Sequence, residues 1–429
     1  MSDADTPQSG TRLKSASDPS KWSMVGKDPY QMPLEKIDLS HPGIWQANEY
    51  LPFLERLRHE DPVHYCAESA VGPYWSVLKY KDIMQVDTSP QLYSSEPTIG
   101  IVDQFSEFTL PMFIAMDPPK HDVQRRVVQP VVAPANLKIL EKLIRERVCR
   151  ILDGLPVGEE FDWVDSVSIE LTTQMLATLF DFPFEDRHKL TYWSDVATAI
   201  PGAGVVESYE ERWQAMQECL QTFTRLWNER VNQAPGNDLL SMLAQGEETR
   251  NMPPMEFLGN VLLLIVGGND TTRNSISGGV LALNENPQEY AKLRNDRSVI
   301  PNMVSEIIRW QTPLAYMRRT ALVDTELGGK QIKAGDKVVM WYISGNRDEE
   351  VIEHANEFII DREKARQHLS FGFGIHRCMG NRLAEMQLRI LWEEIMERFH
   401  LVEVVGEPQR VYSSFVKGFT RLPVKLHPH

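Results

Sequence analysis

Phe371-Gly-Phe-Gly-Ile-His-Arg-Cys-Met-Gly380, followed from Asn381 by the helical pattern NRLAEMQLRILWEEIMERF, is the stretch on which the reading of the fold turns. Gly372, Gly374 and Gly380 permit a tight loop with positive φ angles and a close backbone approach to something flat or bulky. Cys378 falls at the start of the helix that follows, where unpaired N–H groups and the positive dipole end favour a thiolate, the form of cysteine that binds metal. His376 and Arg377 add donors suited to carboxylates. A lone cysteine is most often a small buried hydrophobe, so the weight rests on the spacing around it.

The rest of the chain sets the frame. Its 429 residues are 42% hydrophobic and 24% charged, enough for a sizeable packed core. Length alone suggests two to four domains at about 100–200 residues each. No repeat or low-complexity linker interrupts the chain after about Tyr30, however, which predicts a flexible extension over 1–30 and one domain over 31–429. Sixty acidic residues against 45 basic ones give a net charge of −15, which disfavours nucleic acid and anionic lipid as partners. Cys66, Cys149, Cys219 and Cys378 show no C-x-x-C spacing, against a disulfide scaffold or a zinc ribbon and in favour of a reducing, cytoplasmic setting. The longest apolar runs, Val261–Val266 and Val338–Ile343, fall far short of the roughly 20 residues that span a bilayer. A cytoplasmic monomer without a membrane span is expected.

Hydrophobic spacing predicts helices over Ala135–Leu152, Ser166–Leu179, Tyr209–Val231, Met255–Asn284, Gln288–Leu293, Pro301–Trp310 and Leu383–Phe399. Alternation predicts a strand at Tyr74–Lys79 and a β block over Glu326–Ser344, turned at Gly328-Gly329 and Ala334-Gly335. The fold is therefore mainly α with a minor β region. The Met255 helix, about thirty residues at 1.5 Å each, reaches roughly 45 Å and must cross the core.

The pattern F-G-x-G-x-H-x-C-x-G resembles the haem-binding loop of the cytochrome P-450 family of haem-thiolate monooxygenases. That resemblance implies haem b as cofactor, with Cys378 as the thiolate ligand of its iron. Phe371 would pack beside the sulfur, His376 would meet a propionate, and the glycines, Gly380 among them, would keep amides within reach of the sulfur. Val266-Gly-Gly-Asn-Asp-Thr-Thr272 is a costly choice for a helix interior and resembles the family's oxygen-activation motif. There the helix is locally opened, and Asp270 and Thr271 would relay protons to dioxygen at the haem. Glu306-Ile-Ile-Arg309, worth little as an isolated ion pair, resembles the family's E-x-x-R helix, with Arg362 as the third, structural member. Asp117-Pro-Pro-Lys-His-Asp-Val-Gln-Arg125 and Arg-Thr-Ala-Leu-Val-Asp324 resemble further segments, which assign His121, Arg125 and Arg319 to the propionates. The resemblance runs from about Tyr30 to the C-terminus. Lys333, Glu349 and Glu385 depart from the usual pattern, and none of them belongs to the iron, oxygen or propionate positions.

Longer segments, such as LLLIVGGNDTTRNSISGG and PNMVSEIIRWQTPLAYMRR, are similar to the bacterial terminal (omega) hydroxylases of alkanes and fatty acids. This implies a linear apolar substrate, O2, and electrons from a ferredoxin and its NAD(P)H-dependent reductase, since the chain carries no flavin fingerprint or iron–sulfur cluster. Arg126, Arg377 and Arg382 could form a local basic face for such a ferredoxin. Ile101, Met112, Phe113, Val266, Gly267, Leu314, Ala315 and Met317 are the candidate substrate contacts, each of them also an ordinary core residue type. Two alternatives stay open: hydroxylation of terpenoid or other cyclic apolar substrates, and a haem-binding sensor or carrier without catalysis.

Overall fold

Pro254–Glu285 is a continuous helix of 32 residues, roughly 48 Å long. It starts with Pro254 in the first helical position, where a missing N–H costs nothing, and stops at Asn286 because Pro287 follows. Its first half buries Phe257, Leu258, Val261, Leu262 and Ile265, and its second half buries polar side chains from Asn269 to Ser277. Helices His188–Thr198, Glu170–Phe180, Ile300–Gln311 and Asn381–Arg398 pack around it. The computed structural model describes residues 23–103 and 110–429.

The long periodic segments end within a few residues of their predicted bounds, as in Pro134–Asp153, Tyr209–Arg230 and Asn381–Arg398. Helices Tyr50–Glu60, Tyr80–Asp87, Lys120–Val128, His188–Thr198 and Leu239–Gln245 were not signalled by the sequence pattern. They are short, and a short helix owes its stability to the surface it packs on rather than to its own propensity. The β region is a five-stranded sheet in the spatial order Val63–Cys66, Tyr74–Val77, Lys337–Met340, Met317–Ala321, Tyr93–Ser94. Trp75 pairs with Val338 in parallel, and Val338 pairs with Arg319 antiparallel, which brings Arg319 beside the cysteine loop. The Gly328-Gly329 turn joins strands Thr325–Leu327 and Lys330–Ile332, but after Met340 the chain enters the short helix Tyr342–Gly345 instead of continuing as strand.

Of the extension expected over 1–30, residues 1–22 lie outside the described residues. Residues 24–30 instead lie on the body: Met24 is buried in a cluster with Leu39 and Ile44, and the Gly26 amide donates to Glu49 Oε2 at 2.6 Å. Among the described residues no helix is long and apolar enough to cross a membrane.

A buried charge network holds the C-terminal half to the cysteine loop. Arg309 donates through Nε and Nη2 to both oxygens of Glu306 at 2.7 Å, and Arg362 Nε donates to Oε2 at 3.1 Å. Arg309 also donates to the carbonyls of Asn346, Ala355 and Glu357. Asn346 in turn accepts the Leu369 amide at 2.6 Å and donates to Ser370 at 2.9 Å, two residues at the start of the loop. Burial alone would raise the Glu306 carboxyl, but the bonds and charge of Arg309, the Ile359 amide and Arg362 hold it below its ordinary value. Glu306→Gln leaves two arginines without their shared counter-charge, and its expected cost is about 3–5 kcal/mol, read as a lowered urea midpoint. A midpoint within error of the wild type would contradict this role.

Candidate active site

A cavity of about 1260 Å³ lies between the cysteine loop and the long helix. Drug-sized sites fill about 300–1,000 Å³, so the space exceeds what one small ligand needs. Of the four cysteines, all described, Cys378 is the one that lines it. Its side chain is accessible through the cavity while lying deep within the protein.

The loop is pinned locally. The Cys378 amide donates to Phe371 O at 2.8 Å, and Phe371 lines the cavity beside it. Gly372 and Gly374 have φ of 62° and 65°, and a Cβ on Gly374 would stand 2.4 Å from Asp87 O. Gly380 lacks the positive φ that the sequence suggested; it caps the helix at φ −88°. Its role is spatial, since a Cβ there, like one on Gly267 of the long helix, would meet no protein atom and would project from a residue that lines the cavity. Burial pushes the Cys378 thiol up from its ordinary value, opposed by the Gly380 amide, by Arg125 and Arg377, and by the Asn381 amide.

Four donor side chains gather on the same side. His376, Arg125 and Arg319 line the cavity. The His121 ring lies off the wall and packs edge-on against His376 with centroids 4.2 Å apart. His121 Nε2 and both ring nitrogens of His376 are buried without a hydrogen-bond partner. Such atoms are costly unless a ligand meets them. Burial depresses both imidazoles: His376 is further lowered by Arg319, His121 and Arg125, while His121 is partly restored by Asp122. Arg319 Nη2 is held at 2.8 Å by Asp87 Oδ1, and Asp87 Oδ2 accepts from Tyr342 OH at 2.9 Å and from the Phe373 amide at 2.7 Å. Asp87 and Tyr342 carry no sequence signal; they meet the loop only through the fold. A thiol facing the space, two glycine-lined walls, two arginines and an imidazole with unpartnered nitrogens fit a flat, dianionic metal macrocycle.

The long helix forms the opposite wall with Val266, Gly267, Gly268, Thr271 and Thr272. It is not opened: Thr271 Oγ1 donates back to Gly267 O at 2.8 Å inside unbroken helix. Asp270 does not line the cavity. It is fully buried against helix His188–Thr198, with Arg273 at 2.9 Å, Ser194 Oγ at 3.1 Å and Thr198 Oγ1 at 3.5 Å. Asp270 lies about 100° around the helix from Thr271, on the side away from Thr272, and so faces the neighbouring helix. Thr198, unremarked in the sequence, lines the cavity and touches Asp270. Burial pushes the Asp270 carboxyl up to about 6, against the pull of Arg273. Ile101, Met112, Phe113, Val266, Gly267, Leu314 and Met317 line the cavity. Ala315 does not: its amide bonds Phe415 O at 2.9 Å and its side chain belongs to the packed cluster around Tyr316 and Trp341.

With this geometry the relationships are clear. The cytochrome P450 family model matches residues 122–426. Linalool 8-monooxygenase of Pseudomonas putida is 35% identical over 92% of this chain and all of its own length. The methyl-branched lipid omega-hydroxylase of Mycobacterium bovis is 30% identical over 93% of this chain and 96% of its own. The solved structure of cytochrome P450-153 from Novosphingobium aromaticivorans superposes with a TM-score of 0.86 at 48% identity, over 91% of this chain and 99% of that one. The chain belongs to the cytochrome P450 family, whose members carry haem b on an axial cysteine thiolate and act as monooxygenases.

Gly267→Ala tests the open wall. A helix-interior alanine with no atom in its way should add about 0.5–1 kcal/mol to unfolding stability. A loss of stability in chemical denaturation would mean that the wall is already closed.

Proposed function

We propose that this monooxygenase hydroxylates the terminal C–H of linear alkanes, fatty acids or related chains, and that residues 31–429 act as one haem domain. One observation carries the reading: a single cavity joins Cys378 to a wall of apolar side chains, Ile101, Met112, Phe113, Val266, Leu314 and Met317 among them. A primary C–H bond is stronger than its neighbours, so terminal attack requires that the walls present the methyl and little else. The likeness to cytochrome P450-153 and to the lipid omega-hydroxylase supports this reading.

When bound, the haem supplies the activation of dioxygen; one oxygen atom enters the C–H bond and the other leaves as water, with two electrons and two protons. Cys378 would hold the iron, and His121, Arg125, Arg319 and His376 the propionates. Thr271 presents its side chain to the cavity, and Thr198 links the cavity to Asp270. Arg273, bonded to Asp195, extends that line toward the half-buried Asp195 carboxylate. We assign to this chain of groups the delivery of protons. The electrons would come from a ferredoxin and its reductase, docking where Arg126, Arg377 and Arg382 are exposed and, among the described residues, form no ion pair. The likeness to the linalool enzyme favours a second reading, an acyclic or cyclic terpenoid substrate.

Product analysis with graded alkanes, fatty acids and terpenoids tests the two readings. Primary alcohols from the linear chains are expected; mainly sub-terminal alcohols, or turnover of terpenoids alone, would overturn the terminal assignment. Asp270→Asn should lower kcat about a hundredfold without changing substrate affinity. It should also remove the inflection expected in the wild-type pH profile above the ordinary carboxylate range, where burial places the ionisation of this carboxyl. A variant with the wild-type rate and pH profile would exclude the residue from proton delivery.

A further inference from the structure

Three arginines line the cavity. Arg125 and Arg319 stand with Cys378 and His376. Arg212 comes from a different element, the first turn of Tyr209–Arg230, and is bonded to the Ala197–Ala199 stretch that lines the same cavity. Its guanidinium is half-buried. Nη2 donates to Ala197 O at 2.6 Å and Nη1 to Ala199 O at 3.5 Å. Both acceptors are neutral carbonyls where helix His188–Thr198 ends. Among the described residues no carboxylate pairs with it; the ionisable neighbour that acts on it is Tyr209, and burial pulls the guanidinium below its ordinary value.

Three other buried arginines near the site face carboxylates, whereas Arg125, like Arg212, donates to a backbone carbonyl, that of Arg377. Arg273 faces Asp270 and Asp195, Arg309 faces Glu306, and Arg319 faces Asp87. A desolvated cation is normally paired. Arginine also has five N–H donors in a fixed fork, and two carbonyl bonds leave three of them for a planar anion. The acidic neighbour Glu211 is committed elsewhere, accepting the Glu207 amide at 2.7 Å on the outer side of the loop.

The surroundings supply the remainder of a site for an amphiphile. Met216, one helical turn beyond Arg212 on the same helix face, lines the same cavity. Ile200 and Tyr209 also line it while remaining 40% and 51% exposed, as does Val102 at 56%, which marks an apolar rim where the cavity meets solvent. A chain in this cavity would share its walls with Arg212 and the exposed rim as well as with Cys378 and Thr271.

We propose that Arg212 is the carboxylate anchor of the substrate site and that it selects linear fatty acids, held by the acid end, over alkanes of the same length. The inference rests on the reading that the far methyl is the oxidised end. A charge-assisted pair in a half-buried site contributes enough to change affinity about ten- to a hundredfold, and a neutral chain gains none of it.

Spin-state titration of the haem-loaded full chain tests this with dodecanoic acid, methyl dodecanoate and dodecane. Arg212→Gln should raise Kd for the acid about ten- to a hundredfold while changing Kd for the ester and the alkane less than twofold. Arg212→Lys should recover part of the acid affinity. An unchanged acid Kd, or an equal loss for acid and ester, would overturn the anchor. Product analysis of ester and alkane turnover keeps the two readings apart. Sub-terminal alcohols from every chain would sink the terminal reading while an acid-specific loss in Arg212→Gln still upheld the anchor. Terminal alcohols with no acid-specific loss would sink the anchor alone.

Discussion

The Glu306 carboxylate, shared in the protein interior between Arg309 and Arg362, is the constraint on which the site depends. Desolvating three ionised side chains is costly, and the cost is offset because the guanidinium donors also reach carbonyls, those of Asn346, Ala355 and Glu357 for Arg309 and those of Glu353, His354 and Glu357 for Arg362. Those carbonyls belong to the chain leading into the cysteine loop. The network therefore fixes where the loop begins, and through Asn346 and Ser370 it fixes how the loop departs.

A second tether works from the other side. Asp87 collects Arg319, Tyr342 and the Phe373 amide, so that the sheet, the short helix after it and the middle of the loop converge on one buried carboxylate. Between the two tethers Cys378 has little freedom, and His376, with its ring nitrogens unpartnered and His121 packed behind it, lines the same cavity. Opposite, the long helix divides its chemistry between two faces: Thr271 and Gly267 toward the cavity, Asp270 and Arg273 toward the neighbouring helix. That division keeps an ionisable pair out of the apolar substrate space while leaving it one hydroxyl, that of Thr198, away.

Much of the architecture was legible in the amino-acid order. Pro254–Glu285 announced itself by length and apolar spacing, and Asn381–Arg398 by its pattern directly after a glycine-rich loop. His188–Thr198 did not, because a short helix with polar residues on one face reads like loop until its partner is known. Ala315 was misplaced for a related reason: beside Leu314 and Met317, which reach the cavity, it is equally apolar, and only the packing of Tyr316 and Trp341 shows that it turns inward. Asp270 was recognised, but its direction was not, because a motif records which residues are adjacent and not which way a helix is rotated.

The chain by itself determined the elements whose causes are local. These are the glycine turns at Gly372 and Gly374, the helix after Cys378, the proline-bounded long helix and the pairing of Glu306 with Arg309 one turn away. Tertiary structure decided everything that joins residues remote in sequence: Asp87 with Arg319, Thr198 with Asp270, and Arg212 with the cavity that begins at Cys378. The physical reason is that hydrogen bonds, burial and charge act over a few ångströms in space, so only a completed fold brings such groups within reach of one another.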